Sequence, residues 1–133
     1  MPALDTNVLI RYLVKDDPKQ ASEAERFIHQ YVGSEAALFI PLSVILESEW
    51  VLRSVYEFQK QSVIELFVSL LETRELNFQD EASVESAVFL YREHNIDFAD
   101  CLHLATTYTH DYLPLVSFDK KATRVEGIES VPR

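Results

Sequence analysis

Three features of this sequence predict an α/β domain with a short, mainly parallel central sheet flanked by helices. Short apolar runs alternate with amphipathic helical stretches, the pattern of strands joined by helical crossovers. The run Ala37 to Ile40 is continuous, as in a strand buried on both faces. Acids stand at the ends of these runs or in the first turns of the following helices, the edge where open α/β sheets place their binding crevice. With 133 residues, the chain is long enough for one domain with a core and short for two, so 1–133 is read as a single domain.

The elements follow in order. Ala3-Leu4 is a short buried strand, and Asn7 to Val14 an amphipathic helix. On its own, Asp5 reads as a cap for that helix. Asp17-Pro18 restarts the chain with a cap and a proline suited to the first helical position. Ala21, Ala24, Phe27 and Ile28 carry this second helix to about Val32, with Gly33 as its stop. Ala37 to Ile40 is the next strand, closed by Pro41, and Ser43 caps a helix through Glu47, Trp50 and Ser54. Lys60 to Thr73 has a broad apolar face, and Leu76-Asn77-Phe78 is a strand. Asp80 or Ser83 opens a helix that turns Val84, Ala87, Val88 and Tyr91 inward. Asp97-Phe98-Ala99-Asp100 resembles a capping box before a helix reaching His110. Pro114 to Phe118 is a strand with Asp119 at its end, Lys120 to Thr123 a turn, and Ile128 to Val131 a final edge strand.

Composition narrows the function classes. No segment approaches the ~18 apolar residues of a membrane span, and no basic, then apolar, export signal opens the chain. One cysteine, Cys101, excludes an internal disulfide and suits a cytoplasmic setting. Two glycines leave no glycine-rich phosphate loop. A net charge of −10 argues against a general nucleic-acid coat protein. It leaves room for an acidic metal site with a local basic rim, or for a basic partner. His29, His94, His103 and His110 lack zinc-ligand spacing, and Cys101 and His103 fall on different helix faces. Trp50, Tyr56, Phe67 and Phe89 read as core.

Asp5, Glu47, Asp100 and Asp119 are the acids that matter. In a parallel sheet their positions share one edge, and capping does not explain Glu47. Two carboxylates ~5 Å apart repel by roughly 3 kcal/mol at an effective dielectric of ~20. Such a cluster must hold protons or bind a cation. An oxygen-only, histidine-poor site suits Mg²⁺ or Mn²⁺, where water is activated and phosphoryl charge steadied.

The blocks Ala3 to Leu13, Glu47 to Ser54, Asp97 to Asp100 and Ser117 to Lys121 resemble PIN-domain ribonucleases, and among them the VapC-type toxins of toxin–antitoxin pairs. The resemblance covers essentially the whole chain, and four acidic blocks in order are far more specific than Asp-Thr-Asn alone. It implies a PIN-like three-layer α/β/α fold. It implies that Asp5 and Asp100 are the main ligands of Mg²⁺ or Mn²⁺, with Glu47 and Asp119 completing a catalytic quartet. Thr6, Asn7 and Ser117 match the polar supports of those carboxylates. It further implies endonucleolytic cleavage of transfer or ribosomal RNA, a homodimer, and inhibition by a VapB-type antitoxin. Arg11, Lys15, Arg53, Lys120, Lys121 and Arg124 lie near these blocks and are candidates to line the RNA approach.

Two rivals stay open at the level of sequence. A non-catalytic acidic module would bind a basic partner without cleaving anything. An aspartyl-phosphate phosphatase or receiver domain would use Asp5, but the phosphatase's second acid two residues on is here Asn7, and no acid follows the middle strand.

Overall fold

Six helices and four three-residue strands make up a computed structural model that describes residues 2–132, except Val32, Glu35 and Ala36. Val32, the expected end of the second helix, lies outside the described residues. The chain divides into two compact units, Met1–Glu81 and Ala82–Arg133.

The first unit opens with α1 (Thr6–Val14) and α2 (Pro18–His29). Then come β1 (Leu38–Ile40), α3 (Leu42–Ser54), α4 (Lys60–Leu71) and β2 (Leu76–Phe78). β1 and β2 pair in parallel, Leu38 opposite Leu76 and Ile40 opposite Phe78. The expected opening strand is reduced to one parallel bridge, Ala3 with Phe39. The backbone still runs alongside β1 there, because Leu4 N–H donates to Phe39 O and Phe39 N–H to Pro2 O, both at 2.9 Å. Leu38 and Ile40 are fully buried on one face of β1, while Phe39 on the other face is half-buried, so the burial on both faces that the continuous run predicts is complete on one face only.

Asp17 caps α2 through the Gln20 amide at 3.1 Å, with Pro18 in the first turn, as expected. The cap of α3 differs from expectation. Ser43 lies inside the helix, Pro41 holds the cap position without a side-chain bond, and the Leu42 N–H donates instead to Gln79 Oε1 at 2.8 Å. A group 37 residues away thus satisfies a free helix donor. Trp50 and Phe89 also depart from expectation, being 54% and 56% exposed; each lies on the outward side of its helix. Phe67 is buried as expected, and Tyr56 is half-buried.

The second unit holds α5 (Glu81–Glu93, its first residue at the boundary), α6 (Phe98–Thr109), β3 (Leu115–Ser117), a 3₁₀ turn (Ala122–Arg124) and β4 (Ile128–Ser130). β3 and β4 pair in parallel, Leu115 opposite Ile128. Leu104, Ala122, Val125 and Ile128 form its core, with Leu90, Ile96 and Leu115 packed against them. Val84, Ala87, Val88 and Tyr91 are buried on α5 as expected. Ser83 opens no helix; it is buried inside α5 and shares a hydrogen bond with Thr109 of α6. Gly127 is required where it stands: its φ is +97°, and a Cβ would meet Leu104 Cδ1 at 3.0 Å.

Candidate active site

Each unit holds two of the four acids. In the first, Asp5 follows Leu4 and occupies the N-cap of α1, where its Oδ1 accepts the Val8 N–H at 3.3 Å. The cap that Asp5 predicts on its own is therefore present. It is long for a hydrogen bond and uses one oxygen, which leaves the exposed carboxylate its second.

Thr6, the first residue of α1, is buried, and its hydroxyl donates a short hydrogen bond to Glu47 Oε1. Glu47 lies on the exposed side of α3, which packs against α1. Thr6 thus fixes one Glu47 oxygen and leaves Oε2 for another partner. The Asn7 side chain makes no hydrogen bond to either acid among the described residues; it lines a groove of about 310 Å³ with Val8, Arg11 and Phe27. Glu49, two residues after Glu47, is 2% exposed and binds Arg53 at 2.8 Å.

In the second unit, Asp100 lies half-buried in the first turn of α6. Burial raises its pKa above the usual carboxylate value, and the charges of Asp119 and Asp97 raise it further, against an opposing pull from His103. Asp97 occupies the N-cap of α6, but its side chain makes no capping bond, so the expected capping box does not form. None of Asp97, Asp100 and Asp119 is in an ion pair among the described residues.

Asp119 is held by its own loop. It comes one residue later than expected, because β3 ends at Ser117. Its N–H donates to Ser117 Oγ at 3.0 Å, while its Oδ1 accepts from Lys121 N–H at 2.8 Å and Ala122 N–H at 3.3 Å. Ser117 therefore supports Asp119 through the backbone.

The cations named from sequence divide sharply. Arg11 is engaged within its own unit, donating to Gln20 Oε1 at 2.6 Å, Tyr56 Oη at 2.9 Å and Asp16 Oδ1 at 3.1 Å. Arg53 is tied to buried Glu49 and Lys15 faces Glu25 at 3.7 Å. Lys120, Lys121 and Arg124 are exposed, and none is in an ion pair among the described residues.

The donor set fits a hard divalent cation. The four acids offer carboxylate oxygen only, and Asp100 faces the charges of Asp119 and Asp97 with no ion pair among the described residues, a conflict a cation relieves. As placed, no three His, Cys, Asp or Glu side chains among the described residues are gathered closely enough to hold a metal. A larger apolar cleft of about 630 Å³ lies in the second unit, lined by Phe89, Leu104, Tyr108 and Leu113 among others; none of the four acids borders it. No helix among the described residues is long and apolar enough to cross a membrane.

Comparison with known proteins agrees with the sequence pattern. The family model of the PIN domain matches residues 3–128. A VapC ribonuclease of Aquifex aeolicus (strain VF5) is 26% identical over 131 residues, covering 98% of this chain and 96% of that protein.

Proposed function

The chain belongs to the PIN domain family, and from that premise we propose that it is a Mg²⁺- or Mn²⁺-dependent endoribonuclease acting as the toxin of a toxin–antitoxin pair. The observation that carries this reading is Asp100, a half-buried carboxylate set against the charges of Asp119 and Asp97 and in no ion pair among the described residues. Such an arrangement costs stability and persists where function uses it. Likeness to a VapC ribonuclease along nearly the whole of both chains supports RNA as the substrate.

In this reading 1–133 works as one PIN-like domain, with Asp5 and Asp100 holding the cation. When bound, Mg²⁺ or Mn²⁺ supplies Lewis acidity toward the phosphoryl oxygens and makes water a better nucleophile at neutral pH. Glu47, with Oε1 held by the Thr6 hydroxyl, presents Oε2 to orient the attacking water and take its proton. Asp119, anchored by the Lys121 and Ala122 amides, completes the carboxylate set. Asn7 is a weaker support than Thr6 or Ser117, because among the described residues it makes no hydrogen bond to these acids. The substrate is a cytoplasmic RNA of the transfer or ribosomal class, and the inhibitor is a VapB-type antitoxin. A homodimer accompanies the reading; exposed Trp50 on α3 and Phe89 on α5 are apolar surface that association would cover.

The test is cleavage of total RNA by inhibitor-free protein. Products are expected with Mg²⁺ or Mn²⁺ and none in excess chelator. Undiminished cleavage in chelator defeats the metal assignment. No cleavage under any condition, with intact binding to a basic partner, replaces the enzyme with an acidic interaction module.

A further inference from the structure

Phe118 is 87% exposed, the most exposed large hydrophobic side chain among the described residues. Both flanks of this phenyl are pinned. Ser117 is locked in the β3–β4 ladder opposite Ser130 and accepts the Asp119 N–H. Asp119 caps the turn that leads into Ala122, which is wholly buried. Phe118 therefore projects into water from a fixed loop between two of the residues named above.

The chain that follows the ring is cationic. Lys120, Lys121 and Arg124 place three of the chain's 12 cations within five residues, with no acid among them, in a protein of net charge −10. A protein-binding anchor sits in an apolar or water-excluding ring of neighbours, whereas within two positions of Phe118 stand Ser117, Asp119 and Lys120, with half-exposed Val116 the one apolar residue. An exposed aromatic beside backbone-tracking cations is the composition by which proteins hold single-stranded nucleic acid.

We infer that Phe118 is a stacking platform for one unpaired nucleobase of the RNA, with Lys120, Lys121 and Arg124 meeting the adjoining phosphates. The inference rests on the ribonuclease reading above. Every base has a π-face, so stacking here sets the register of the strand beside Asp119 without selecting a base. It favours loops and single strands over duplex, whose bases are unavailable.

Binding is measured on the cleavage-deficient Asp100→Asn full chain with a short fluorescent single-stranded RNA of mixed sequence and its duplex. Phe118→Ala is expected to weaken single-strand binding roughly tenfold, within the range for one base–aromatic stack, and to leave duplex binding unchanged. Phe118→Tyr and Phe118→Trp restore it and Phe118→Leu does not. In a Trp50→Phe background, the emission of Phe118→Trp is quenched by the single strand. In the active chain, Phe118→Ala raises KM more than it lowers kcat. Unchanged single-strand affinity in Phe118→Ala, full rescue by Phe118→Leu, or an effect confined to oligomer mass overturns the inference and leaves the ribonuclease reading standing. A parent that neither binds nor cleaves RNA removes both.

Discussion

The two acidic pairs solve one problem in opposite ways. In the first unit, Glu47 accepts a hydrogen bond from the Thr6 hydroxyl, and Asp5 accepts one from an amide of the helix it caps. Both carboxylates there are held by neutral donors. In the second unit, Asp100 is half-buried beside the charges of Asp119 and Asp97, and its proton affinity rises accordingly. The first pair is arranged to hold a carboxylate in place; the second stores repulsion that a cation relieves. Positioning is built into one unit and demand for charge into the other.

The contrast is broken most forcefully at Asp100. Asp100→Asn removes the repelled carboxylate and is expected to lower kcat by roughly 10²–10³-fold, the scale of losing a principal electrostatic contact with the transition state. Single-turnover cleavage of RNA measures it. Thr6→Val strikes the other pair. It frees Glu47 without deleting it, so a loss of about 10- to 100-fold is expected, as for groups that orient a functional carboxylate. Thr6→Ser, which keeps the hydroxyl, recovers most of that activity.

Gly127→Ala separates loss of chemistry from loss of fold. The φ of +97° and the Leu104 contact at 3.0 Å predict destabilisation of about 1–3 kcal/mol, read by urea unfolding. Cleavage per folded molecule should be unaltered. Smaller still is the dependence of stability on pH. The folded-state pKa of Asp100 lies above its usual 3.8. Its relative contribution is therefore fully present below 3.8 and is lost as pH rises through the folded value. Without metal, Asp100→Asn should raise the Tm at pH 7 by roughly one to two degrees, through about 0.5 kcal/mol or less. That gain should fade as pH falls below about 4.

Local sequence carried much of this design, and its failures share a cause. The strand at Leu38–Ile40 is legible because its run is short and continuously apolar, and that at Leu76–Phe78 because buried Leu76 and Phe78 alternate with exposed Asn77. Asp17-Pro18 is legible because cap and first turn are neighbours in sequence. The cap of α3 is not, because its acceptor is Gln79, beyond another helix and strand. Asp97 has the sequence of a cap, but its side chain does not bond the helix end. The cap at Asp5 is legible because Asp5 directly precedes the helix it caps. Trp50 and Phe89 sit at helical spacing consistent with a core, and what packs on each face is a tertiary matter. The acids were named from their place at element ends and from the family pattern. Their energetic difference was not legible, since it depends on a buried hydroxyl at Thr6 and on how near Asp119 and Asp97 come to Asp100.

Thermal unfolding of the wild type and Asp100→Asn, each in chelator and in saturating Mn²⁺, tests most directly whether the second unit's repulsion is an invitation to a cation. In chelator the variant should melt at or above the wild type. In Mn²⁺ the order should reverse, since metal at a hundred times its Kd stabilises the wild type by about 2.7 kcal/mol and the variant by much less. Equal stabilisation of both proteins, or no response of the wild type, would contradict the account.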